Sequence, residues 1–197
     1  SAASDVYKRQ AGASPGKTVK VKAEGSFETW PCRWWVDRPG ISIQCGKTKG
    51  EVVLTLDPKV GYGRHWVRAY DASGASKLIP FLVCGGESIL EKEPNDHPDD
   101  AQSLTNTSTV DGRLGKSGDV DWYRIELDEG GLLSARADAN RWLGSPIDLV
   151  LQVCDEHGRV LRHQDDGVGL DPVIEYRAPK AGIYLSLIHI SEPTRLR

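Results

Sequence analysis

Oxygen-bearing side chains are concentrated in two short stretches of this chain, and their types suit metal chemistry. The first stretch is Glu91-Lys92-Glu93-Pro94-Asn95-Asp96, and the second is Ser117-Gly118-Asp119-Val120-Asp121. Neither has a His or Cys among its candidate ligands. Ca²⁺ binds 6–8 oxygen atoms at about 2.3–2.6 Å, so an oxygen-only donor set predicts calcium rather than zinc.

The backbone of the first stretch is suited to present several carboxylates on one side. Pro94 holds the residue before it in an extended conformation. Because alternate residues of an extended chain point the same way, Glu91, Glu93 and Asn95 are expected to share a side. Carboxylates packed there would repel one another and raise each other's pKa unless a cation neutralised them. A bound metal would also order this segment, which couples binding to folding.

A structural alternative needs no metal. In it, Asn95 and Asp96 cap a short helical turn, and Asp119 and Asp121 accept hydrogen bonds within a turn. The sequence alone leaves both interpretations open.

Four further aspartates form a second acidic set. Asp165-Asp166-Gly167 favours a turn, and the alternative is a second cation site. The members of this set are Asp148, Asp165, Asp166 and Asp171.

Several aromatic residues are candidates for ligand binding. Trp122 and Tyr123 are adjacent on a predicted strand, so they face opposite sides. One is expected in the core, and the other could stack on a sugar or a peptide. Trp34, Trp35 and Trp66 favour packing over a ligand platform, because tryptophan is largely buried on average.

Catalytic motifs are missing from the sequence. It contains no Gly-x-Ser-x-Gly, His-Glu-x-x-His, Gly-x-Gly-x-x-Gly or phosphate-loop pattern. Asp119 and Asp121 could imitate a glycosidase pair, but a small sandwich with no evident cleft makes that role improbable. The sequence therefore predicts a protein that is not an enzyme.

Charge divides the chain near residue 90. Residues 11–90 contain 11 Lys or Arg and 7 Asp or Glu, whereas residues 91–184 contain 10 and 19. The acidic second part disfavours nucleic acid, whose phosphates require clustered basic side chains. No apolar run reaches the roughly 18 residues that a membrane span requires.

The four cysteines show no Cys-x-x-Cys spacing, so a zinc site is not predicted. Cys32 and Cys45 flank a predicted hairpin, and a disulfide between them is one interpretation for an oxidising compartment. The alternative is that these two, with Cys84 and Cys154, are small buried hydrophobic residues on strands.

Short runs of β-branched and aromatic residues, separated by Gly, Pro and Asp, dominate the chain and predict an all-β fold of two tandem antiparallel β-sandwiches. The first is expected to be immunoglobulin-like, over 11–86, and the second jelly-roll-like, over 87–184. The first six strands are predicted at 18–23, 32–36, 41–44, 51–56, 65–70 and 78–84. Those of the second sandwich are predicted at 109–112, 121–127, 132–139, 149–155, 160–164, 173–178 and 182–184.

Residues 91–184 resemble the bacterial pre-peptidase C-terminal domain, which is similar in turn to the collagen-binding domains of bacterial collagenases. Four motifs in the right order carry the resemblance, and each is weak alone: Glu93-Pro94-Asn95-Asp96; Gly118-Asp119-Val120-Asp121-Trp122-Tyr123; Gly144-Ser145-Pro146-Ile147-Asp148; and Asp165-Asp166-Gly167 before Ala178-Pro179-Lys180-Ala181-Gly182-Ile183-Tyr184.

The resemblance implies a jelly-roll-like domain without catalysis of its own, appended to secreted peptidases and other exported proteins. In the collagen-binding relatives, calcium is held by entry-linker acids and by a Gly-Asp-x-Asp strand start. Ser117 would be a weaker ligand. The calcium ligands that the resemblance implies here are Glu91, Glu93, Asn95, Asp96, Asp119 and Asp121.

The first predicted sandwich bears a looser resemblance. Trp34-Trp35-Val36-Asp37-Arg38-Pro39-Gly40 and His65-Trp66-Val67-Arg68 look like the sandwich that precedes this domain in large exported proteins of planctomycete-type bacteria.

We therefore expect a non-catalytic accessory part of an exported bacterial protein, secreted or periplasmic, whose role is folding or stability of a larger protein. One alternative is a targeting module for extracellular protein or polysaccharide. Another is part of a secreted peptidase whose catalytic domain lies elsewhere. Expected partners are other domains of the same parent protein.

The two ends of the chain are related at the level of DNA. Asp5–Gln10 can be encoded by GATGTGTATAAGAGACAG, whose reverse complement encodes Leu185–Ile190. The string matches the end sequence that a transposase adds in preparing sequencing libraries. We therefore predict that residues 1–10 and 185–197 are translated adapter, and that native residues 11–184 are an internal fragment. Residues 1–10 are expected to pack poorly, whereas 185–190 could pair as a strand because they are apolar.

Overall fold

The computed structural model describes residues 7–8, 10–105, 107–116 and 118–190. The chain divides into two compact units. The first contains Ser1–Leu90 with Thr109–Asp111, and the second contains Glu91–Ser108 with Gly112–Arg197. Each unit has its own hydrophobic core, so each is described separately.

The first unit is built from short strands separated by turns. In β6 every second residue is buried, which is the pattern of a strand with one face on the core. The strands are β1 (Tyr7–Lys8), β2 (Gly12–Ala13), β3 (Thr18–Glu24), β4 (Arg33–Val36), β5 (Ile41–Cys45), β6 (Glu51–Leu56), β7 (Gly63–Asp71), β8 (Gly74–Ala75), β9 (Ile79–Val83) and β10 (Glu87–Leu90).

These strands form two facing sheets. One has the order β1-β3-β6-β5, and the other has the order β2-β9-β7-β4, with β8 paired to β7. Their inner faces meet in one core, to which Val21, Leu54, Val67 and Phe81 contribute from four different strands. The first unit is therefore a β-sandwich, in which β4 and β5 are the edge strands of opposite sheets.

The second unit also consists mainly of strands. It contains one short 3₁₀ turn (Pro98–Asp100) and one short helix, α1 (Asn140–Leu143), among its described residues. Its strands, with β12 divided between the units, are β11 (Gln102–Ser103), β12 (Ser108–Asp111), β13 (Val120–Leu127), β14 (Leu132–Arg136), β15 (Leu149–Cys154), β16 (Val160–Gln164), β17 (Val173–Arg177) and β18 (Gly182–Ile190).

A five-stranded sheet, β11-β13-β18-β15-β16, faces the β14–β17 pair across a core that includes Ile125, Leu151, Val153 and Ile174. A separate two-stranded sheet joins β10 and β12. Among the strand pairs with a described register, β2 with β9 and β11 with β13 are parallel, and the others are antiparallel. The predicted all-β sandwich class is confirmed.

Within the described ranges, no helix has the length and apolar character needed to cross a membrane.

The last strand extends past the predicted end of the native segment. β18 lies between β13 and β15, and it pairs with both as far as Ile190. Tyr184, Leu185, Ser186 and Leu187 are all buried, so the strand is covered on both faces. The adapter origin of residues 185–197 stays a prediction, because strand pairing requires only composition and not a native source.

The expectation that residues 1–10 pack poorly does not hold for the part that is described. The backbone of Tyr7–Lys8 pairs with β3, and Gln10 is buried. The edge of β3 offers unpaired N–H and C=O groups, which a neighbouring chain segment can satisfy whatever its sequence. Ser1–Val6, Arg9 and Ser191–Arg197 lie outside the described residues.

Candidate metal centre

The entry segment of the second unit lies beside the start of β13. Trp122 donates its backbone N–H to the carbonyl of Asn95 at 2.9 Å, which fixes the two stretches side by side. The Asn95 side chain is fully buried, although its neighbours in the sequence are exposed. The structure thus brings together two oxygen-rich stretches that are about 25 residues apart in the chain.

Three carboxylates converge at this point. Glu91, Glu93 and Asp121 each offer one oxygen, and these oxygens all lie within 4.8 Å of one another. Two oxygens on opposite sides of one Ca²⁺ would be roughly 5 Å apart, since each Ca–O distance is about 2.3–2.6 Å. The spacing of the three oxygens is therefore compatible with a single shared cation.

Glu91 is held in place by three donors. The Tyr123 hydroxyl donates to its Oε1 at 2.8 Å, the Arg113 backbone N–H to its Oε2 at 2.6 Å, and the Asn95 amide to Oε1 at 3.5 Å. A Cβ at Gly112 would lie 3.0 Å from the same Oε1, so the absent side chain leaves room for the carboxylate. Burial and the Glu91 carboxylate raise the pKa of Tyr123 above its usual range, so this hydroxyl stays a donor.

Asp121 is buried against the other carboxylates, with an exposed fraction of 3%. Burial, then hydrogen bonding to Glu91, then the charges of Glu91, Asp119 and Glu93 raise the pKa of Asp121 to about 8. Without a cation, Asp121 is therefore mostly protonated at neutral pH. A divalent ion would remove this penalty by supplying the missing positive charge.

Within the two acidic stretches, three buried oxygens of described residues have no hydrogen-bond partner. They are Oδ1 of Asn95, Oδ1 of Asp119 and Oδ1 of Asp121. A buried acceptor without a partner costs about 1–3 kcal/mol, so such groups are rare unless something binds them. Asp121 already belongs to the three carboxylates, so the oxygens of Asn95 and Asp119 are the additional indication of a ligand.

Asp96 and Asp119 are joined through a lysine. The Lys116 ammonium lies 2.9 Å from Asp96 Oδ2 and 3.6 Å from Asp119 Oδ1, and the second distance is too long for a hydrogen bond. Burial alone would raise the pKa of Asp119, but N–H donors from Gly115 and Lys116 hold it below its usual value. Asp96 and Asp119 are thus outside the group of three carboxylates, and Ser117 lies outside the described residues.

The second acidic set does not converge. The buried carboxylate of Asp171 accepts N–H groups from Ala139, Asn140 and Arg141 at 2.8–3.0 Å and so holds the start of α1. Asp165 and Asp166 are exposed in a bend, where the Asp165 side chain accepts the backbone N–H of Asp166. Asp148 is half-buried before β15 and is not part of the described acidic group.

The structure buries both aromatic candidates of β13. Trp122 is 8% exposed and packs with Cys154, Leu185 and Leu187, whereas Tyr123 is 3% exposed and contacts Glu91. Neither ring therefore has an open stacking face. The hydrogen bond from Tyr123 to Glu91 was not predicted from the sequence. The available signal was the alternation of side chains along β13, because it places Tyr123 and Asp121 on one side of the strand.

Comparison with known proteins shows a similarity by sequence to a protease. The chain is 30% identical over 139 residues to a probable subtilase-type serine protease of Deinococcus radiodurans. The match covers 70% of this chain and 17% of that protease, so the chain spans only a small part of the relative's length. No family model matches.

Two solved structures align with most of the chain at low similarity. They are a chimeric titin Z1Z2 carrying an exogenous KLER peptide from decorin, and titin Z1Z2 in complex with telethonin. Their sequences are 13% and 16% identical to this chain. The alignments cover 98% and 96% of this chain, and 86% and 84% of the two titin chains. Both TM-scores are 0.23.

Proposed function

We propose that the second unit binds Ca²⁺ through Glu91, Glu93 and Asp121, with Asn95 Oδ1 as a fourth ligand. The observation that supports this most strongly is the convergence of three carboxylate oxygens within 4.8 Å beside buried oxygens that lack hydrogen-bond partners. Asp119 Oδ1 is available as a further ligand, and water would complete the coordination.

The donor chemistry favours calcium over softer metals. The described group contains carboxylates and neither His nor Cys. Zn²⁺ sites use nitrogen and sulfur ligands in most cases, and Mg²⁺ retains most of its water and demands octahedral geometry. A set of protein oxygens that is partly buried and partly exposed fits the more flexible coordination of Ca²⁺.

The role we propose is accessory and non-catalytic, within an exported bacterial protein. Support comes from the subtilase-type relative and from the motifs that resemble the pre-peptidase C-terminal domain. Binding to Glu91 and Glu93 would tie the entry segment to the start of β13, where Asp121 lies. The cation would thereby stabilise the second unit outside the cell, where calcium is abundant.

Thermal unfolding of the full chain tests the site. We expect about 2 mM CaCl₂ to raise the Tm and excess chelator to reverse the rise, with ~2.7 kcal/mol gained at a hundredfold excess over Kd. Asp121→Asn should abolish the response, since it keeps the shape and removes a ligand charge. Asp165→Asn, in an exposed bend, should leave the response intact.

The same experiment distinguishes binding from general salt effects. MgCl₂ at equal ionic strength should give a much smaller rise than CaCl₂. Equal rises with both salts, or an undiminished rise in Asp121→Asn, would show that Glu91, Glu93 and Asp121 do not form a selective site.

A second candidate function is targeting to an extracellular polymer, and one feature of the first unit favours it. Trp35 and Tyr70 are 45% and 37% exposed and line a shallow depression of about 540 Å³ with Arg68, Asp71 and Leu78. Exposed aromatic rings beside polar side chains are suited to stack on sugars or peptides. The sequence favours core or inter-domain packing of Trp35 over a ligand platform, and an exposed fraction of 45% does not fit packing in the core.

Sedimentation with insoluble polysaccharides and with collagen tests the targeting role. Trp35→Ala should weaken retention at least tenfold, whereas Tyr62→Ala, an exposed aromatic outside the depression, should not. Retention that is equal in both variants would exclude the depression as the binding surface.

A further inference from the structure

Two cysteine side chains of the first unit lie face to face. Cys32 Sγ and Cys45 Sγ are 3.9 Å apart, and the Cys45 thiol donates to the Cys32 carbonyl at 3.2 Å. A disulfide requires the two sulfurs at about 2.03–2.05 Å. Each sulfur would have to move by only about 1 Å, which a small side-chain rotation can supply.

The strands explain why these residues meet. Cys32 directly precedes β4 and Cys45 is the last residue of β5, so four residues separate each cysteine from the turn that joins the strands. Because β4 and β5 are the edge strands of opposite sheets, the two thiols lie where the sheets are not joined by backbone hydrogen bonds. The Trp30 indole N–H donates to the Gly46 carbonyl at 3.0 Å and holds the flanking segments together.

We propose that Cys32 and Cys45 form a disulfide that joins the two sheets of the first unit when the chain meets a small-molecule disulfide oxidant. Both side chains are half-buried, so such an oxidant can reach them. This inference does not depend on the calcium site, which lies in the second unit.

The chemistry is thiol–disulfide exchange. One protein thiolate attacks a sulfur of an oxidant RSSR, which forms a mixed disulfide and releases RS⁻. The second protein thiolate attacks the protein sulfur of that mixed disulfide, which closes the Cys32–Cys45 bond and releases the second RS⁻. The two protein thiols lose two electrons, RSSR is reduced, and the two thiol protons end on 2 RSH.

The other two cysteines provide internal controls. Cys154 has an exposed fraction of 0% and lies on β15 of the second unit, so oxidant cannot reach it in the folded chain. Cys84 follows β9, and its backbone N–H bonds to Ala13.

Oxidised glutathione and the reduced full chain give a direct test. After exposure of the folded chain and removal of the reagent, thiol titration in denaturant should fall from four groups to two. Peptide mapping without reductant should show one linked species that joins Cys32 to Cys45. The oxidised chain should also unfold at a higher temperature than the reduced chain, since the cross-link restricts the unfolded state.

Matched variants sharpen the assignment. Cys84→Ser should still form the linked peptide and retain one free thiol, whereas Cys45→Ser should form none. The proposal is overturned if both Cys32 and Cys45 carry glutathione without a link, if Cys32 links to Cys84, or if all four thiols persist. Detection of the Cys32–Cys45 peptide in the chain without substitutions tests the proposal even if a variant folds poorly.

Discussion

At the scale of single residues, the acidic group of the second unit is a set of oxygen ligands held in place before any ion binds. Glu91 takes three hydrogen-bond donors, and Asp121 keeps a proton because burial and the Glu91 carboxylate raise its pKa to about 8. Cation binding and proton release at Asp121 are therefore linked.

Calcium affinity should rise with pH because of this proton. Below pH 8 the ion must displace it, so the apparent affinity should increase about tenfold per pH unit up to about pH 8 and then level off. Calorimetric titration between pH 6 and pH 9, in two buffers of different ionisation enthalpy, measures both the affinity and the proton released. An affinity independent of pH would contradict a role for Asp121 as ligand.

Stability of the calcium-free chain should show the opposite trend. The folded pKa of Asp121 lies above the usual aspartate value of 3.8, so the folded state binds more protons between these limits. Its contribution to stability is complete below about pH 4 and is lost as pH rises to about 8. In chelator, Asp121→Asn should remove this dependence of the unfolding free energy on pH between about pH 4 and pH 8. Chemical denaturation at several pH values measures it.

Tyr123 should act as a positioning residue for the ion. Tyr123→Phe removes the hydroxyl that donates to Glu91, and a hydrogen bond to a charged group is worth about 1.5–3 kcal/mol. We expect calcium affinity to fall roughly tenfold, which corresponds to about 1.4 kcal/mol.

Tyr184→Phe is the matched control for Tyr123→Phe. Tyr184 is also buried, and its hydroxyl donates to the Lys180 carbonyl away from the acidic group. It should lower stability without changing calcium affinity. Equal affinity losses in the two variants would indicate a general loss of folding.

At the scale of elements, the aspartates of the second set stabilise the backbone. Asp171 accepts three N–H groups at the start of α1, which has no side-chain cap of its own. A helix of one turn cannot satisfy these donors internally. One member of the predicted second cation site, Asp171, therefore holds the backbone of a short helix.

Asp171→Ala should destabilise the second unit by about 2 kcal/mol or more, because it leaves buried N–H groups without acceptors. Asp165→Ala removes an exposed side chain and should stay within about 0.5 kcal/mol. Urea unfolding followed by tryptophan fluorescence measures both. A loss in Asp171→Ala that is present with calcium and absent in chelator would instead indicate a cation role for this set.

At the scale of the whole molecule, two units with separate cores make up the chain, and β18 is central to the second. It pairs with β13 on one side and β15 on the other, and its buried leucines join a core cluster. A strand in this position cannot be removed without exposing two strand edges.

A chain that ends at Tyr184 should therefore lose the second unit. Burial of Leu185 and Leu187 contributes about 1.5–3 kcal/mol each, before the lost strand pairing is counted. Circular dichroism and the calcium response would report this loss. A stable, calcium-responsive 11–184 fragment would show that the native fold does not need residues 185–190, as the adapter prediction implies.

The sequence by itself determined the fold class and most strand positions, because alternation of apolar residues is a local signal that short strands and Gly, Pro and Asp turns reveal directly. The extended backbone before Pro94 also predicted that Glu91, Glu93 and Asn95 share a side, and the family resemblance added Asp96, Asp119 and Asp121 to the candidate ligands. Only the tertiary structure decided which acids converge, which bind Lys116 and which hold α1. Contacts between segments far apart in the chain depend on strand order and register, which local patterns do not encode. For the same reason, only the fold could show that Cys32 and Cys45 face each other across two sheets.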